Sequence, residues 1–134
     1  MAKLKEYNGR YCESEYEDAF ISFLEAEGWK YASGNQIARI TKRNVLIADD
    51  FKQFIADTNP DLTDEEVTRI YDTVRLVGSE SDFATLHKVY GWMVNGIQFT
   101  PQNGQARMIS LIDFENTEHN IFRVVNQFTV EYTD

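Results

Sequence analysis

Asn120-Ile121-Phe122-Arg123-Val124-Val125-Asn126-Gln127-Phe128-Thr129-Val130-Glu131 is the stretch on which the reading of this chain turns. It is apolar and rich in β-branched residues, so Ile121 to Glu131 reads as a strand, with Tyr132 continuing its pattern. Working back from it, Met108 to Ile112 reads as a second strand, Pro101-Gln102-Asn103-Gly104-Gln105 as a turn, and Ile97 to Thr100 as a further strand. Short connections join the three, so an antiparallel meander is expected. Asn126 and Gln127 interrupt the apolar run. Successive side chains of a strand alternate faces, so one of these two amides points inward and needs a partner. It is read as an amide that fixes the sheet in preference to one that reads DNA.

Before Ile97 the period changes to that of helices. A helix is expected over Ser14–Glu27, where Tyr16, Ala19, Phe20, Phe23 and Leu24 recur at helical spacing and form the inward face. Ser14 is placed to cap it, Glu15, Glu17 and Asp18 lie in its first turn, and Gly28 stands where a left-handed residue ends a helix. Trp29-Lys30-Tyr31-Ala32 reads as a short extended segment. A second helix, Asp49–Thr58, carries Phe51, Phe54 and Ile55 on one face and stops at Asn59-Pro60. Thr63-Asp64-Glu65-Glu66 spells a capping box that opens Asp64–Val77, with Gly78 as its break. Ser81 caps a fourth helix, Asp82–Val94, with Phe83, Leu86, Val89, Tyr90 and Met93 expected inward. Helices first and a small, mainly antiparallel sheet afterwards make the class α+β, in a single domain over residues 1–134.

The 134 residues are 43% hydrophobic and 26% charged, which suits one folded domain with a real core. No apolar run is long enough to span a membrane, and the first residues, Met1 to Glu6, form no secretory signal. The single cysteine, Cys12, cannot close an internal disulfide and is compatible with a reducing cytoplasm. A formal net charge of −9 argues against grip on nucleic acid by the overall field. The basic residues Arg39, Lys42 and Arg43 cluster in an acid-free segment and are the candidates for touching a DNA backbone; the plainer reading is an exposed charged loop. His87, His119 and Cys12 have no metal-ligand spacing, no Walker A motif occurs, and nothing resembles a nucleophile elbow. Asp113 follows the second strand and reads first as a turn-forming residue, with a polar contact near a reaction site as the alternative.

Three stretches carry a resemblance. They are Glu13-Ser14-Glu15-Tyr16-Glu17-Asp18-Ala19 leading to Gly28-Trp29; Val94-Asn95-Gly96-Ile97-Gln98-Phe99; and, most specific, Leu111-Ile112-Asp113-Phe114-Glu115-Asn116 followed by Asn120 to Glu131. Together they resemble the N-terminal region of the restriction (R) subunit of type I restriction enzymes. The resemblance implies part of a PD-(D/E)xK nuclease-like domain in the cytoplasm. It implies that the intact subunit cuts double-stranded DNA with Mg²⁺ after ATP-driven translocation, beside methyltransferase and specificity subunits. The family's catalytic Asp and Glu-x-Lys follow the Asn-Gln-Phe-Thr-Val-Glu strand. The chain is therefore expected to be an inactive scaffold piece that needs no cofactor of its own, its apolar last strand lying at an edge along which two copies could pair. In related nuclease folds the first helix can lend a Glu to the metal cluster, which makes Glu17, and after it Glu13, candidates for an accessory role in the intact domain. The ordinary alternative is a solvated acidic first turn that suits the helix dipole. A different reading of the whole is a stand-alone acidic interaction module that imitates DNA toward a basic partner.

Overall fold

The computed structural model describes residues 6–7, 10–11, 13–77 and 81–131. In chain order the elements are β1 (Glu6–Tyr7), β2 (Arg10–Tyr11), α1 (Glu13–Ala26), β3 (Lys30–Ser33), α2 (Ala48–Thr58), α3 (Asp64–Arg75), α4 (Asp82–Asn95), β4 (Ile97–Phe99), β5 (Arg107–Ile109) and β6 (Arg123–Asn126), with 3₁₀ turns at Gly34–Gln36 and Thr117–His119. The class is α+β, and all four expected helices are present. Gly78 and Tyr132, read as a helix break and a strand end, lie outside the described residues. Among the described residues no helix is long and apolar enough to cross a membrane.

The chain forms two compact units: residues 1–43 with 121–134, and residues 44–120. In the first, α1 ends at Gly28, whose φ of 97° supplies the left-handed residue expected there. The backbone then turns directly into β3. Lys30 N–H donates to Phe122 C=O at 2.9 Å, and the Trp29 and Phe122 rings meet at 5.3 Å. From there β3 and β6 run parallel in the register Lys30↔Arg123 through Ser33↔Asn126.

This pairing corrects the expected meander. The last strand joins the segment that follows α1, while β4 and β5 form a hairpin of their own, Ile97 opposite Ile109. Loop length alone had favoured neighbours in sequence. It carries no information about a partner about ninety residues away. β6 is also shorter than expected. Gln127 takes a φ of 52°, in the left-handed region, and that one residue turns the chain out of the ladder after Asn126. The segment beyond is held by the 37–43 loop: the Arg39 guanidinium lies 4.1 Å over the Phe128 ring and donates to Thr129 C=O at 2.8 Å. Glu131 N–H donates to Lys42 C=O at 3.0 Å.

In the second unit, α2 and α3 bury Phe54, Ile55, Val67, Ile70 and Tyr71 between them. The capping box forms as read: Thr63 Oγ1 accepts from Glu66 N–H at 3.2 Å, and Glu66 Oε1 accepts from Thr63 N–H at 3.0 Å. Glu66 is buried, and its second oxygen accepts from Gln102 N–H at 2.9 Å, so the same carboxylate caps α3 and pins the β4–β5 turn. Arg107 at the start of β5 grips Asp61 with two bonds, at 2.7 and 2.9 Å.

Two helix faces differ from what periodicity suggested, although Leu24 and Val89 keep the expected half-buried side. Tyr16, Phe20 and Phe23 of α1 are exposed, and Ile21 is its buried residue. On α4, Phe83, Leu86, Tyr90 and Met93 are exposed, and no residue of that helix is fully buried. Periodicity identifies an apolar stripe but not the neighbour that covers it. On α1 the side turned to the ladder is the row Glu17, Ile21, Leu24, fixed by a polar bond described next.

Candidate functional site

The side chains that converge in the first unit come from α1, β3 and β6. Glu17 and Ile21 are one turn apart on α1, so the half-buried carboxylate stands beside the buried Ile21. The Asn126 amide nitrogen donates to Glu17 Oε1. The Asn126 amide oxygen in turn accepts from the Tyr31 hydroxyl at 2.8 Å. The three residues thus form a line, phenol to amide to carboxylate, that ties both strands of the ladder to the first helix. Tyr31 and Asn126 can meet because they stand on the same face of adjacent parallel strands, two positions apart in register. Asn126 is the inner amide that the sequence called for, and it fixes helix to sheet. The sequence placed Tyr31 only in a short extended segment. Its hydroxyl is the part that sequence reasoning missed, since nothing local announces a partner 95 residues away.

The other candidates fall in different surroundings. Glu13, at the start of α1, is exposed. Arg39, Lys42 and Arg43 share one loop but not one task. Arg39 is committed to Phe128 and Thr129, whereas the Lys42 and Arg43 side chains are exposed. In the second unit Asp113 follows β5 after a bend, because the strand ends at Ile109. Its Oδ1 accepts from the N–H groups of Asn116 at 2.8 Å and Glu115 at 3.1 Å, and its Oδ2 meets His119 Nδ1 at 2.8 Å. The Asn116 N–H first, and then His119, hold the Asp113 carboxyl below the usual range. Asn120 closes the loop by accepting from Asp113 N–H and donating to its C=O, both at 2.9 Å. Asp113 is thus the turn-former of the first reading. It borders an open groove of about 440 Å³ between the end of α2, at Thr58 and Asn59, and the 108–115 stretch.

Among the described residues no three His, Cys, Asp or Glu side chains gather so as to hold a metal ion. Glu17 offers one carboxylate, with one oxygen already bonded to Asn126. An octahedral Mg²⁺ shell needs more than that, so these residues alone do not fit the ion.

Comparison with known proteins agrees with the quoted stretches. The family described as type I restriction enzyme R protein N terminus matches residues 10–134. A protein of Methanocaldococcus jannaschii, assigned as the endonuclease subunit of type I restriction enzyme MjaIXP, is 34% identical over 125 residues, covering 87% of this chain and 12% of its own length. The type I restriction enzyme HindI endonuclease subunit of Haemophilus influenzae is 26% identical over 132 residues, covering 88% of this chain and 12% of that protein. This chain therefore spans about an eighth of either relative. No solved structure matches. With nearly every described residue inside the match, the chain belongs to the family of type I restriction enzyme R protein N termini.

Proposed function

We propose that the chain is the N-terminal scaffold of the DNA-cleaving domain of a type I R subunit. The observation that carries this is the parallel β3–β6 ladder with α1 laid on it and locked by Tyr31, Asn126 and Glu17. Parallel strands are stable in wider sheets covered on both faces, so an isolated parallel pair is half of a layer. Further strands of the subunit would complete it, in a PD-(D/E)xK-like arrangement. The intact subunit would cut double-stranded DNA in the cytoplasm, using Mg²⁺ after ATP-driven translocation, in complex with methyltransferase and specificity subunits. Those later strands would bring the carboxylates and the lysine for the ion and the attacking water. Glu17 would be an accessory to that cluster, held at a fixed distance from the strand by Asn126, with Glu13 the more exposed and weaker candidate. The exposed Lys42 and Arg43 would supply any backbone contact to DNA from this piece.

The test is made in the intact subunit. Glu17→Ala should lower DNA cleavage by about tenfold or more while ATP hydrolysis continues. Equal loss of both activities would mark Glu17 as a folding residue only. The 134-residue chain by itself should leave plasmid DNA uncut in the presence of Mg²⁺; cleavage there would overturn the scaffold reading.

A further inference from the structure

Helix α4 turns its large apolar side chains to solvent among the described residues. Its half-buried side carries Ala84, Thr85, Val89, Gly91 and Trp92. Its apolar stripe, Phe83, Leu86, Tyr90, Met93 and Val94, stands in solvent, with Phe83 80%, Leu86 70% and Tyr90 67% exposed. The spacing of i, i+3, i+7 and i+10 places these side chains in one row along the whole helix.

Area decides what such a row can hold. Five large side chains exposed to this degree offer on the order of 600 Å² of apolar surface, the upper end for the largest patch on a monomer. Two copies meeting face to face would bury about 1,200 Å², at the threshold of a specific interface. The row is also self-complementary. An antiparallel pairing about a twofold axis near position 88 sets Leu86 against the partner's Tyr90, and Phe83 against the partner's Val94. Antiparallel helices oppose their dipoles favourably. Lys88 lies on the opposite side of the helix, with its ammonium 5.8 Å from the Trp92 ring, so no like charges confront each other at the axis.

We infer that the α4 stripe is a docking surface for a second copy of this chain, forming an antiparallel helix pair. The association is of the weak, reversible class that its area allows. It is independent of the nuclease reading, because it concerns the chain as it stands and needs neither metal nor DNA.

Sedimentation velocity of the 134-residue chain, from low to high micromolar concentration, reads it directly. The weight-average mass should rise from that of one chain to that of two. Leu86→Glu and Tyr90→Glu should each weaken association by about tenfold or more, as expected for central contacts of a small interface. Their helical circular dichroism and unfolding midpoint should stay unchanged, because both positions are exposed. Leu86→Gln and Tyr90→Gln give the same contrast without adding charge. Phe20→Glu, on the exposed face of α1, should leave association as it was. A constant single-chain mass overturns the proposal. So does a dimer that survives the α4 substitutions, or one that is lost on Phe20→Glu instead.

Discussion

Asn126 illustrates how much one amide can hold when both its ends are used. Its nitrogen serves a carboxylate on α1 and its oxygen a phenol on β3. Asn126→Leu keeps the branched shape but leaves the half-buried Glu17 carboxylate and the Tyr31 hydroxyl without that partner. It should cost about 1–3 kcal/mol in urea denaturation, against roughly 0.5–1.5 kcal/mol for Tyr31→Phe. Three carboxylates make a second prediction at this scale. Asp61 is held below the ordinary range by Arg107, Glu66 by the N–H groups of Thr63 and Gln102, and Asp113 by the N–H of Asn116 and by His119. A depressed folded-state value means that the unfolded chain takes up protons first as acid is added. The stabilisation is therefore complete above the ordinary carboxylate range and disappears as pH falls through the depressed values. Thermal midpoints should hold steady from neutral pH down to that range and then fall. In Glu66→Gln and Asp113→Asn the fall should be shallower and the midpoint at neutral pH lower. Of these roles the capping box at Thr63 and Glu66 was legible in the sequence, because it is local. The turn at Asp113 was legible for the same reason. The hold of Glu66 on Gln102 and the Tyr31 hydroxyl were not, because they join residues far apart in the chain.

At the scale of elements, local signals placed the helices and distance hid the pairings. Caps at Thr63 and Ser81 and the stops at Gly28 and Asn59 announced where helices begin and end. The direction each helix faces, and the parallel union of β3 with β6, depend on contacts that no short window contains. The expected long last strand failed at a single dihedral, since nothing in the residue type of Gln127 signals a positive φ. The close approach at that kink makes a sharp test. A Cβ added to Gly34 would stand 2.1 Å from Gln127 C=O, with Phe128 Cα 2.9 Å away, so backbone must move. Gly34→Ala should destabilise by at least about 1–3 kcal/mol in chemical denaturation, whereas Gly91→Ala, with open space and a helical setting, should be neutral or slightly stabilising. The same kink tempers the expectation that copies pair along the last strand. After Asn126 the backbone leaves the ladder, and Arg39 and Lys42 occupy the segment beyond.

For the molecule as a whole, charge and family point to separate conclusions. The chain belongs to the type I restriction enzyme R protein N termini, yet it carries a net charge of −9 and its loop cluster has Arg39 already engaged. At physiological salt the chain alone should therefore bind duplex DNA weakly. In fluorescence anisotropy the signal should not saturate at nanomolar concentration; saturation there would show that Lys42 and Arg43 outweigh the overall field. The order of the chain has one more consequence. Residues 44–120 form a compact unit whose cross-links span 36 residues, from Glu66 to Gln102, and 46, from Asp61 to Arg107, while the first unit closes only when Tyr31 finds Asn126 across 95 residues. Closing the longer loop carries the larger loop-closure entropy, so the two units should mature at different times. On the ribosome the middle can settle while α1 and β3 wait, solvated and open to proteases, for β6 to emerge. Pulsed hydrogen exchange during refolding should accordingly protect the amides of α2 and α3 first and those of β3 last.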